Sequence, residues 1–545
     1  MTVHRPLRYI AVALATALVV AVAATAAPRD LDRSFGGDGI VLTPVGLGDA
    51  SAQSIARQAD GKIVAAGDAV VPSSGPSDEG VGVARYLPGG RLDPSFGGDG
   101  IVTDQFDEEG THGHVVAIQP DGKTLVAGVL GCCIARLYVA RYLPNGTLDS
   151  SFGTGGVARD TPPVCCDLAQ ATGLAVDTHG RIVVSGWINN SEPADSFVAR
   201  LTNDGHLDST YGDGGVARLE LGDVQPPNSA ANGLALDGDE AIIGGRVLRA
   251  SGDEDLMLVR LDQNGDLDAT FGDGGLVTAR AGNDDDYVAN DVALWNGKIV
   301  VTGVRGPVLN VSANRNYLLA RFDADDGALD TSFNSEGTDP GWVFAGAGDG
   351  DPRAEALAVN QATGAATVVG SALEGGKRKL MVVRYTKEGI RDDAGFRSSD
   401  GHVGARLIDA GDGGQTLGHD VLLDAQGKIV AAGSALDGGR LKFALARLGD
   451  TPPKPNLRPV ARIRGHHVVP RKHWVRFHGL RSFDRDGRIV DYAWRTCNRP
   501  FRSLGPVFWH RFGRTGVHVV SLRVRDDRGA TAVATFRVRV RRRAG

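Results

Sequence analysis

Leu31-Asp32-Arg33-Ser34-Phe35-Gly36 is the segment that decides the fold, because it returns along the whole 545-residue chain. The later copies start at Asp93, Asp149, Asp208, Asp268 and Asp330, with a degenerate copy at Asp393–Phe396. The intervals between successive aspartates are 61, 56, 59, 60, 62 and 63 residues. A regular interval of this size predicts an array of similar units rather than several unrelated domains.

Three further segments recur in fixed order between the copies. Gly61–Gly67 (GKIVAAG) follows an alternating stretch and a tight turn, and Val83–Tyr86 (VARY) comes after it. Short β-branched runs bounded by glycine and aspartate predict strands, and the run after each phrase, such as Gly39–Leu42, brings the number to four per repeat. Seven such units without helical periodicity predict an all-β fold, a seven-bladed β-propeller over residues 28–448. An open β-solenoid is the alternative, although solenoid coils are shorter than these repeats.

These repeats resemble the bacterial delta-60 repeat, whose hallmark is the LDxSFG phrase, over roughly residues 31–448. The resemblance implies a propeller-like fold on an exported protein. It implies no established biochemical activity.

Each repeat also carries an arginine shortly before the next phrase. A residue present in every blade performs a repeated structural task, so we expect Arg–Asp ion pairs with the aromatic ring of the phrase packed between blades. Asp32 has no arginine before it and Arg447 has no phrase after it, so we expect these two residues to lie on adjacent blades and to close the ring. The structural residues of the repeat are Asp32, Asp93, Asp149, Asp208, Asp268, Asp330, Phe35, Phe96, Phe152, Phe271, Arg85, Arg141, Arg200, Arg260, Arg321, Arg384 and Arg447.

The connections that vary in length are predicted to lie on one face of the ring, and most of the acidic clusters fall in them. Unequal loops on a rigid frame often carry binding sites, and clustered carboxylates bind Ca²⁺ or a cationic partner. A solvated acidic rim is the alternative. The candidate calcium ligands are Asp284, Asp285 and Asp286, which lack the full spacing of a calcium loop, and Asp484 and Asp486 in the C-terminal region. No other cofactor is indicated.

The cysteines fall on the same predicted face. Cys132 and Cys133 lie in one repeat, and Cys165 and Cys166 lie in the next. In an exported protein we expect disulfides between the two pairs. Vicinal disulfides and a metal site of four thiolates are the alternatives, and Cys497 is left over.

Residues 1–27 have the plan of a signal peptide, with Arg5 and Arg8, an apolar run from Tyr9 to Ala23, and small residues up to Ala27. An uncleaved N-terminal anchor is the alternative. Residues 28–453 contain 34 basic and 60 acidic side chains, whereas residues 454–545 contain 23 basic and 5 acidic ones. We therefore expect a secreted or cell-surface protein with an acidic body and a strongly basic C-terminal domain.

A proline-rich linker is predicted at residues 449–459, and residues 460–545 resemble the polycystic kidney disease (PKD) domain. The resemblance rests on Ser482–Trp494 and Gly516–Gly529. It implies an immunoglobulin-like β-sandwich with Trp494 in its core. Arginines that alternate along the last strands are predicted to face solvent and to bind anionic envelope polymers, with the acidic propeller and nucleic acid as alternatives. They are Arg523, Arg525, Arg537, Arg539 and Arg541.

The sequence contains no HExxH, GxSxG, phosphate-loop or His–Cys zinc pattern. His112 and His114 form a candidate metal pair without a third ligand in view. We therefore predict an exported, non-enzymatic binding protein with an extracellular protein or glycan as partner. The alternative is a polysaccharide-directed hydrolase or lyase, whose acids would be brought from distant blades into the propeller funnel.

Overall fold

The computed structural model describes residues 30–72, 77–131, 136–159, 168–189, 195–221, 228–282, 285–306, 316–348, 350–392, 405–412, 414–449, 458–484, 488–496, 499–526 and 530–542. The chain divides into two compact units, Met1–Asp450 and Thr451–Gly545. The predicted signal peptide, all five cysteines, Asp284, Asp486 and the degenerate phrase Asp393–Phe396 lie outside the described residues. In the described ranges, no helix has the length and hydrophobicity needed to cross a bilayer.

The first unit is a ring of seven antiparallel sheets. Two N-terminal strands, β1 (Asp30–Leu31) and β2 (Ile40–Thr43), precede the first complete blade. Blades 1 to 3 contain β3 (Ala50–Arg57), β4 (Ile63–Val70), β5 (Glu79–Tyr86), β6 (Ile101–Asp104), β7 (Thr111–Ile118), β8 (Thr124–Leu130), β9 (Arg136–Tyr142), β10 (Val157–Arg159), β11 (Leu168–Val176), β12 (Ile182–Asn189), β13 (Asp195–Leu201) and β14 (Val216–Leu219).

Blades 4 to 7 repeat the same arrangement of strands. They contain β15 (Ser229–Asp237), β16 (Glu240–Leu248), β17 (Glu254–Leu261), β18 (Leu276–Ala279), β19 (Tyr287–Trp295), β20 (Lys298–Arg305), β21 (Asn316–Asp323), β22 (Trp342–Ala345), β23 (Gly350–Val359), β24 (Ala366–Glu374), β25 (Lys377–Tyr385), β26 (Ala405–Ile408), β27 (Thr416–Leu423), β28 (Ile429–Asp437) and β29 (Arg440–Gly449). The first strands of neighbouring blades contact one another around the ring, and β27 of the last blade contacts β3 of the first. The architecture is therefore the β-propeller that the repeats predict.

The blades are offset from the sequence repeat by one strand. The strand after each phrase pairs with the strand before that phrase, as β6 does with β5. The first such strand, β2, comes from the N-terminus and pairs with β29, from Ile40 opposite Ala446 to Thr43 opposite Phe443. The two ends of the propeller chain therefore complete one blade together, and this pairing leaves the ring without an open edge at the seam.

The arginine of each repeat joins one blade to the next. Arg85 is buried, its Nε donates to Asp93 at 2.9 Å, and its Nη1 donates to the carbonyl of Pro144 in the following blade at 2.5 Å. Its guanidinium carbon lies 4.7 Å from the centre of the Phe96 ring. One side chain thus makes a charged hydrogen bond, a cation–π contact and a hydrogen bond between blades. This arginine bridge is the repeated structural unit of the propeller.

Five further arginine bridges have the same contacts. The equivalent sets of arginine, aspartate, ring and carbonyl of the next blade are Arg141, Asp149, Phe152 and Asn203; Arg200, Asp208, Tyr211 and Gln263; Arg260, Asp268, Phe271 and Ala324; Arg321, Asp330, Phe333 and Lys387; and Arg447, Asp32, Phe35 and Pro88. In blade 6, Arg384 pairs with Asp392 at 3.6 Å.

Asp32 and Arg447 meet, but not on adjacent blades as the sequence had suggested. Arg447 Nη2 lies 2.9 Å from Asp32 Oδ2, and the Asp32 amide donates to the Arg447 carbonyl at 2.8 Å. Both residues belong to the seventh blade, because β1 and β2 pair with β29. Gly449, which the sequence analysis assigned to the linker, ends β29 and pairs with Asp30.

A second cation reaches the same aspartates, and the sequence reasoning missed it. Lys428 Nζ lies 2.6 Å from Asp32, and Lys62 lies 3.3 Å from Asp93. Burial raises the pKa of Asp93, but the hydroxyl and amide of Ser95, together with Lys62 and Arg85, outweigh it and lower that pKa to about 2. The signal was the lysine in four of the seven GKIVAAG-like motifs, at Lys62, Lys123, Lys298 and Lys428.

The second unit is a β-sandwich with its own core. One sheet contains β30 (Val468–Pro470), β36 (Thr531–Arg541), β35 (Gly516–Asp526), β32 (Ile489–Thr496) and β33 (Arg502–Ser503), and the other contains β31 (Trp474–His478) and β34 (Val507–Arg511). Trp494 is buried in this core, stacks on Phe508 and donates from Nε1 to the Gly505 carbonyl at 2.9 Å. Its place is the one that the PKD resemblance implies.

Arg447→Met tests the seam of the ring. We expect it to lower the free energy of unfolding by roughly 3–5 kcal/mol, because it leaves Asp32 with one cation fewer in a largely buried site. Arg91→Met, which removes an exposed arginine from the same propeller, is the matched control. Chemical denaturation measures both. Equal midpoints for the two variants would contradict the assigned role of the seam bridge.

Candidate functional site

A ring of seven polar side chains lines the centre of the propeller. The first strand of every blade contains a β-bulge, as between Ala52 and Ser54 in β3. The extra residue of each bulge, which has no partner on the neighbouring strand, points into a central cavity of about 320 Å³. We call these residues the channel ring: Gln53, His114, Thr172, Asn232, Asn290, Glu355 and His419.

A glycine opposite each bulge makes room for it. A Cβ on Gly67 would lie 1.9 Å from the Ser51 carbonyl oxygen, and one on Gly128 would lie 1.8 Å from the His112 carbonyl oxygen. No other residue type tolerates such an approach of the two strands. The last glycine of each GKIVAAG-like motif thus permits the bulge that turns a polar side chain into the channel.

Three of the seven channel-ring side chains donate hydrogen bonds to the backbone of the next blade. Thr172 Oγ1 donates to the Ala231 carbonyl at 2.9 Å, Asn232 Nδ2 to Ala289 at 2.9 Å, and Asn290 Nδ2 to Ala354 at 2.7 Å. Each acceptor is the residue just before the ring member of the next blade. These three side chains therefore hold the channel wall in a fixed shape.

The other four side chains of the ring present polar groups to the cavity. Gln53 donates to Asp68 at 3.0 Å, and Asp68 also lines the cavity. His114 is bonded to the backbone of Ala171, while its Nδ1 is buried without a hydrogen-bond partner in the described chain. Among the described residues, Glu355 and His419 have no hydrogen bond from their side chains. These groups come from the consecutive blades 6, 7, 1 and 2. The polar groups available to a ligand therefore lie on one side of the channel.

Burial shifts the pKa values of Glu355, His114 and His419 in the direction that favours the neutral form of each side chain. It raises the pKa of Glu355, against the opposing effect of Arg353 and Arg378, and it lowers the pKa values of His114 and His419. The described residues that line the cavity include no lysine and no arginine. Apart from the acidic side chain of Asp68, the site therefore offers hydrogen-bond donors and acceptors with little net charge.

Two carboxylates behind the ring are buried between blades. Asp291 accepts from the amides of Leu357 and Val292 at 2.7 and 2.8 Å, and Asp420 accepts from Ser54 and the amide of Ile55 at 2.8 and 2.7 Å. Burial raises the pKa of Asp291 to about 7 and that of Asp420 to about 6, although these hydrogen bonds oppose it. Each carboxylate satisfies the backbone at the bulge of the following blade.

His112 and His114 do not form the metal pair considered from the sequence. The His112 ring lies between Asp68 at 3.3 Å and Glu79 at 3.4 Å, and the Asp68 hydrogen bond raises its pKa. His114 instead points into the channel. In the described chain, the one group of three metal-ligand side chains within reach of one another is Asp177, His179 and Asp239, and the Arg181 guanidinium already pairs with both of its carboxylates.

Much of the acid on the variable face is already paired with arginine. Asp255 accepts from Arg249 at 2.9 Å and from Arg280 at 2.7 Å, and Asp107 pairs with Arg136. The calcium candidate Asp285 accepts from Arg305 at 2.9 Å, and Asp286 accepts from the Glu254 amide at 2.9 Å. These contacts make the face a network of ion pairs more than an open cation site.

The arginines of the C-terminal domain divide into two groups. Arg525, Arg537, Arg539 and Arg541 are exposed, as expected. Arg523 is half-buried, and its guanidinium lies 5.1 Å from the centre of the Phe501 ring. The calcium candidate Asp484 is half-buried.

Sequence reasoning missed the channel ring, although a signal was present. In each alternating stretch a small residue precedes the ring member, as Ala52 precedes Gln53 and Gly418 precedes His419. The bulge breaks the alternation at that point, so the direction of these side chains could not be counted along the strand.

Two family models match the chain. A domain of unknown function (DUF5122) beta-propeller matches residues 58–96, 119–152, 180–211, 242–271 and 296–333, and the PKD domain matches residues 456–540. Both matches fall within the units that the structure shows.

Solved structures give further likenesses. The PKD1 domain of Vibrio anguillarum Epp is 32% identical over 16% of this chain and 98% of that chain, with a TM-score of 0.14. The PKD1 domain from the Vibrio cholerae metalloprotease PrtV is 27% identical over 15% and 98%, with a TM-score of 0.14. A PL25 ulvan lyase bound to -[GlcA(1-4)Rha3S]- is 8% identical over 75% and 96%, with a TM-score of 0.42. At these TM-scores the likenesses carry no inference about function.

The buried carboxylates predict a pH dependence of stability near neutrality. Because the folded-state pKa values of Asp291 and Asp420 are raised, their contribution to stability is fully present below the ordinary carboxyl pKa of about 4 and is lost as the pH rises through about 6 to 7. We expect the melting temperature to fall between pH 5 and pH 8. Asp291→Asn with Asp420→Asn should flatten this fall.

Asp325→Asn is the control, because it removes an exposed carboxylate from the same propeller. Differential scanning calorimetry across this pH range compares the three proteins. A slope that is unchanged in the double variant would show that other groups cause the dependence.

Proposed function

We propose that this chain, whose propeller contains matches to the DUF5122 beta-propeller model and whose C-terminal unit matches the PKD domain, is an exported, non-enzymatic binding protein. In this proposal the central channel of the propeller binds a hydroxyl-rich ligand of the glycan class. The basic PKD domain tethers the protein to anionic polymers of the cell envelope. Propeller and PKD modules together support an extracellular binding role.

The channel ring is the observation that carries the proposal. The charged residues of the arginine bridges recur from blade to blade with equivalent contacts. In the ring the seven copies differ: glutamine, histidine, threonine, two asparagines, glutamate and histidine occupy one position. A ligand that meets all seven blades at once meets a unique constellation only here.

The chemistry of the lining indicates the ligand class. Amides, neutral imidazoles and a carboxyl whose pKa is raised both donate and accept hydrogen bonds. The absence of lysine and arginine among the described lining residues disfavours phosphate or sulfate esters at this site. A cavity of about 320 Å³ has the size of a small-molecule site. Sugar hydroxyls, which also donate and accept, match this lining.

A second candidate is a polysaccharide-directed hydrolase or lyase. It is favoured by one specific observation, since Asp68 and Glu355 from blades 1 and 6 line the same channel as His114 and His419. Glycoside cleavage uses a carboxyl with a raised pKa as the acid, and burial gives Glu355 that property. Release of reducing ends or unsaturated products by the purified protein would favour this candidate over simple binding.

Glu355→Gln with His419→Ala tests the channel. We expect the pair to reduce binding of neutral glycan fragments to the full-length protein by about tenfold or more, because both groups face the cavity without other hydrogen bonds. A glycan array followed by calorimetry on the best fragment measures this loss.

The matched control for the channel is Glu388→Gln, which changes an exposed glutamate in a turn of the propeller. The control should bind like the parent protein. Unchanged binding by the channel variant would exclude the channel as the ligand site.

The tether is tested by salt-dependent retention on an anionic polymer. We expect the full chain to bind immobilised polygalacturonate at low ionic strength and to elute as salt rises, because exposed charges are screened beyond about 10 Å at 0.1 M salt. A chain that ends at Asp450 should not be retained, since it lacks the basic domain and keeps the acidic propeller. Equal retention of both chains would contradict the tether.

A further inference from the structure

Two tryptophans of the PKD domain lie on its surface. Trp474 is 65% exposed and Trp509 is 54% exposed, whereas Trp494 and Trp342 are 1% and 3% exposed. Within the described residues, neither exposed indole makes a ring contact, a cation–π contact or a side-chain hydrogen bond. Exposing two large aromatic rings costs hydrophobic stabilisation unless a ligand covers them.

The two tryptophans share one face of the two-stranded sheet with two arginines. In the register of β31 and β34, Trp474 is opposite Arg511 and Arg476 is opposite Trp509. Residues that pair directly lie on the same face, with Cβ atoms roughly 4.5–5.5 Å apart. Arg476 and Arg511 are also exposed. The result is a square of two rings and two guanidinium groups in diagonal arrangement, which we call the tryptophan–arginine face.

The opposite face of this sheet is fixed in the domain core. Val475 and Phe477 are buried, and Phe508 stacks on Trp494 with ring centres 5.4 Å apart. Because side chains alternate along a strand, this packing forces Trp474, Arg476, Trp509 and Arg511 outward. The rigid backing fixes the backbone from which the four side chains project, which lowers the entropic cost of binding.

The surroundings of the face are basic. Arg471, Lys472 and Arg514 are exposed near the ends of the two strands. Residues 454–545 carry 23 basic and 5 acidic side chains, so an anionic partner is the one that charge complementarity selects.

We propose that the tryptophan–arginine face binds an acidic polysaccharide, one whose sugar rings carry carboxylate or sulfate groups. The inference rests on the tether part of the proposed function and names its site and ligand class. Each indole stacks on the apolar face of a sugar ring, and the arginine beside it binds the acidic group in a bidentate manner.

The placement of charge beside each ring favours a polysaccharide over single-stranded nucleic acid. In a uronate or sulfated sugar the charge is attached to the ring that stacks. In a nucleic acid the phosphate is separated from the stacking base by a ribose, and proteins bind it in grooves that follow the backbone. Here an arginine is the direct neighbour of each tryptophan on an open, two-stranded surface.

The experiment measures binding of the full chain to polygalacturonate, to its methyl-esterified form and to single-stranded DNA. We expect polygalacturonate to bind most tightly, and its uncharged ester to bind more weakly. Trp474→Ala with Trp509→Ala, and separately Arg476→Ala with Arg511→Ala, should each weaken polygalacturonate binding by about tenfold or more. In the parent protein, the polymer should also protect tryptophan fluorescence from iodide quenching.

Two control pairs match these changes elsewhere in the same domain. Arg481→Ala with Arg502→Ala removes two exposed charges outside β31 and β34, and Val517→Ala with Val533→Ala removes exposed apolar side chains. Both should change the affinity by less than about twofold, because they lie outside the proposed face. All four pairs are exposed, so melting temperatures close to that of the parent confirm intact folds.

The outcomes separate the two proposals. If the parent binds the polymer and the tryptophan pair binds it equally well, the tryptophan–arginine face is not the site and the tether stands. If the parent fails to bind any anionic polymer at low salt, the tether itself fails. Tighter binding to single-stranded DNA than to polygalacturonate would overturn the ligand class.

Discussion

The propeller depends on one repeated interaction, the arginine bridge. Each bridge holds an aspartate of its own blade, an aromatic ring and a carbonyl of the next blade with a single guanidinium, as Arg85 does with Asp93, Phe96 and Pro144. A buried arginine is costly unless its donors are satisfied, and for Arg85 these contacts together with the Ser95 hydroxyl satisfy them. The same constraint joins Arg447 to Asp32, so the chain ends meet in one blade.

The arginine bridges join neighbouring blades through the third strand of each blade and the phrase that follows it. The first strands, which line the channel, can therefore carry different side chains in different blades. At the bulge of each first strand, the fold requires only a glycine on the neighbouring strand, such as Gly67 opposite Ala52, and backbone acceptors such as the Ala231 carbonyl. The bulge residue itself is not fixed by packing. Histidine, glutamate and asparagine can therefore occupy one position of the repeat while the fold stays the same, and a repeated scaffold acquires one unrepeated site.

The repeat was sufficient to predict the propeller and the residues of the arginine bridges, because a fixed interval and a charged residue in every copy are visible in the sequence. It was not sufficient to show that the strand after Phe35 joins the last blade, since pairing at the seam depends on where the chain begins within a blade. The channel ring was hidden because a bulge changes the direction of Gln53 and its equivalents. Trp474 and Trp509 were overlooked because their partners, Arg511 and Arg476, lie about 35 residues away in sequence and become neighbours only through strand register.

The two candidate sites differ in the ligand charge that they can accept, and this difference follows from burial. In the channel, desolvation favours neutral Glu355, His114 and His419, and the described lining residues include no lysine or arginine, so an anionic ligand would enter without a countercharge. On the tryptophan–arginine face, Arg476 and Arg511 remain hydrated and cationic beside exposed rings, so an anionic ligand gains both charge pairing and stacking. The channel therefore suits a neutral sugar, and the tryptophan–arginine face suits an acidic polysaccharide. Neither surface provides the groups that the ligand of the other one needs.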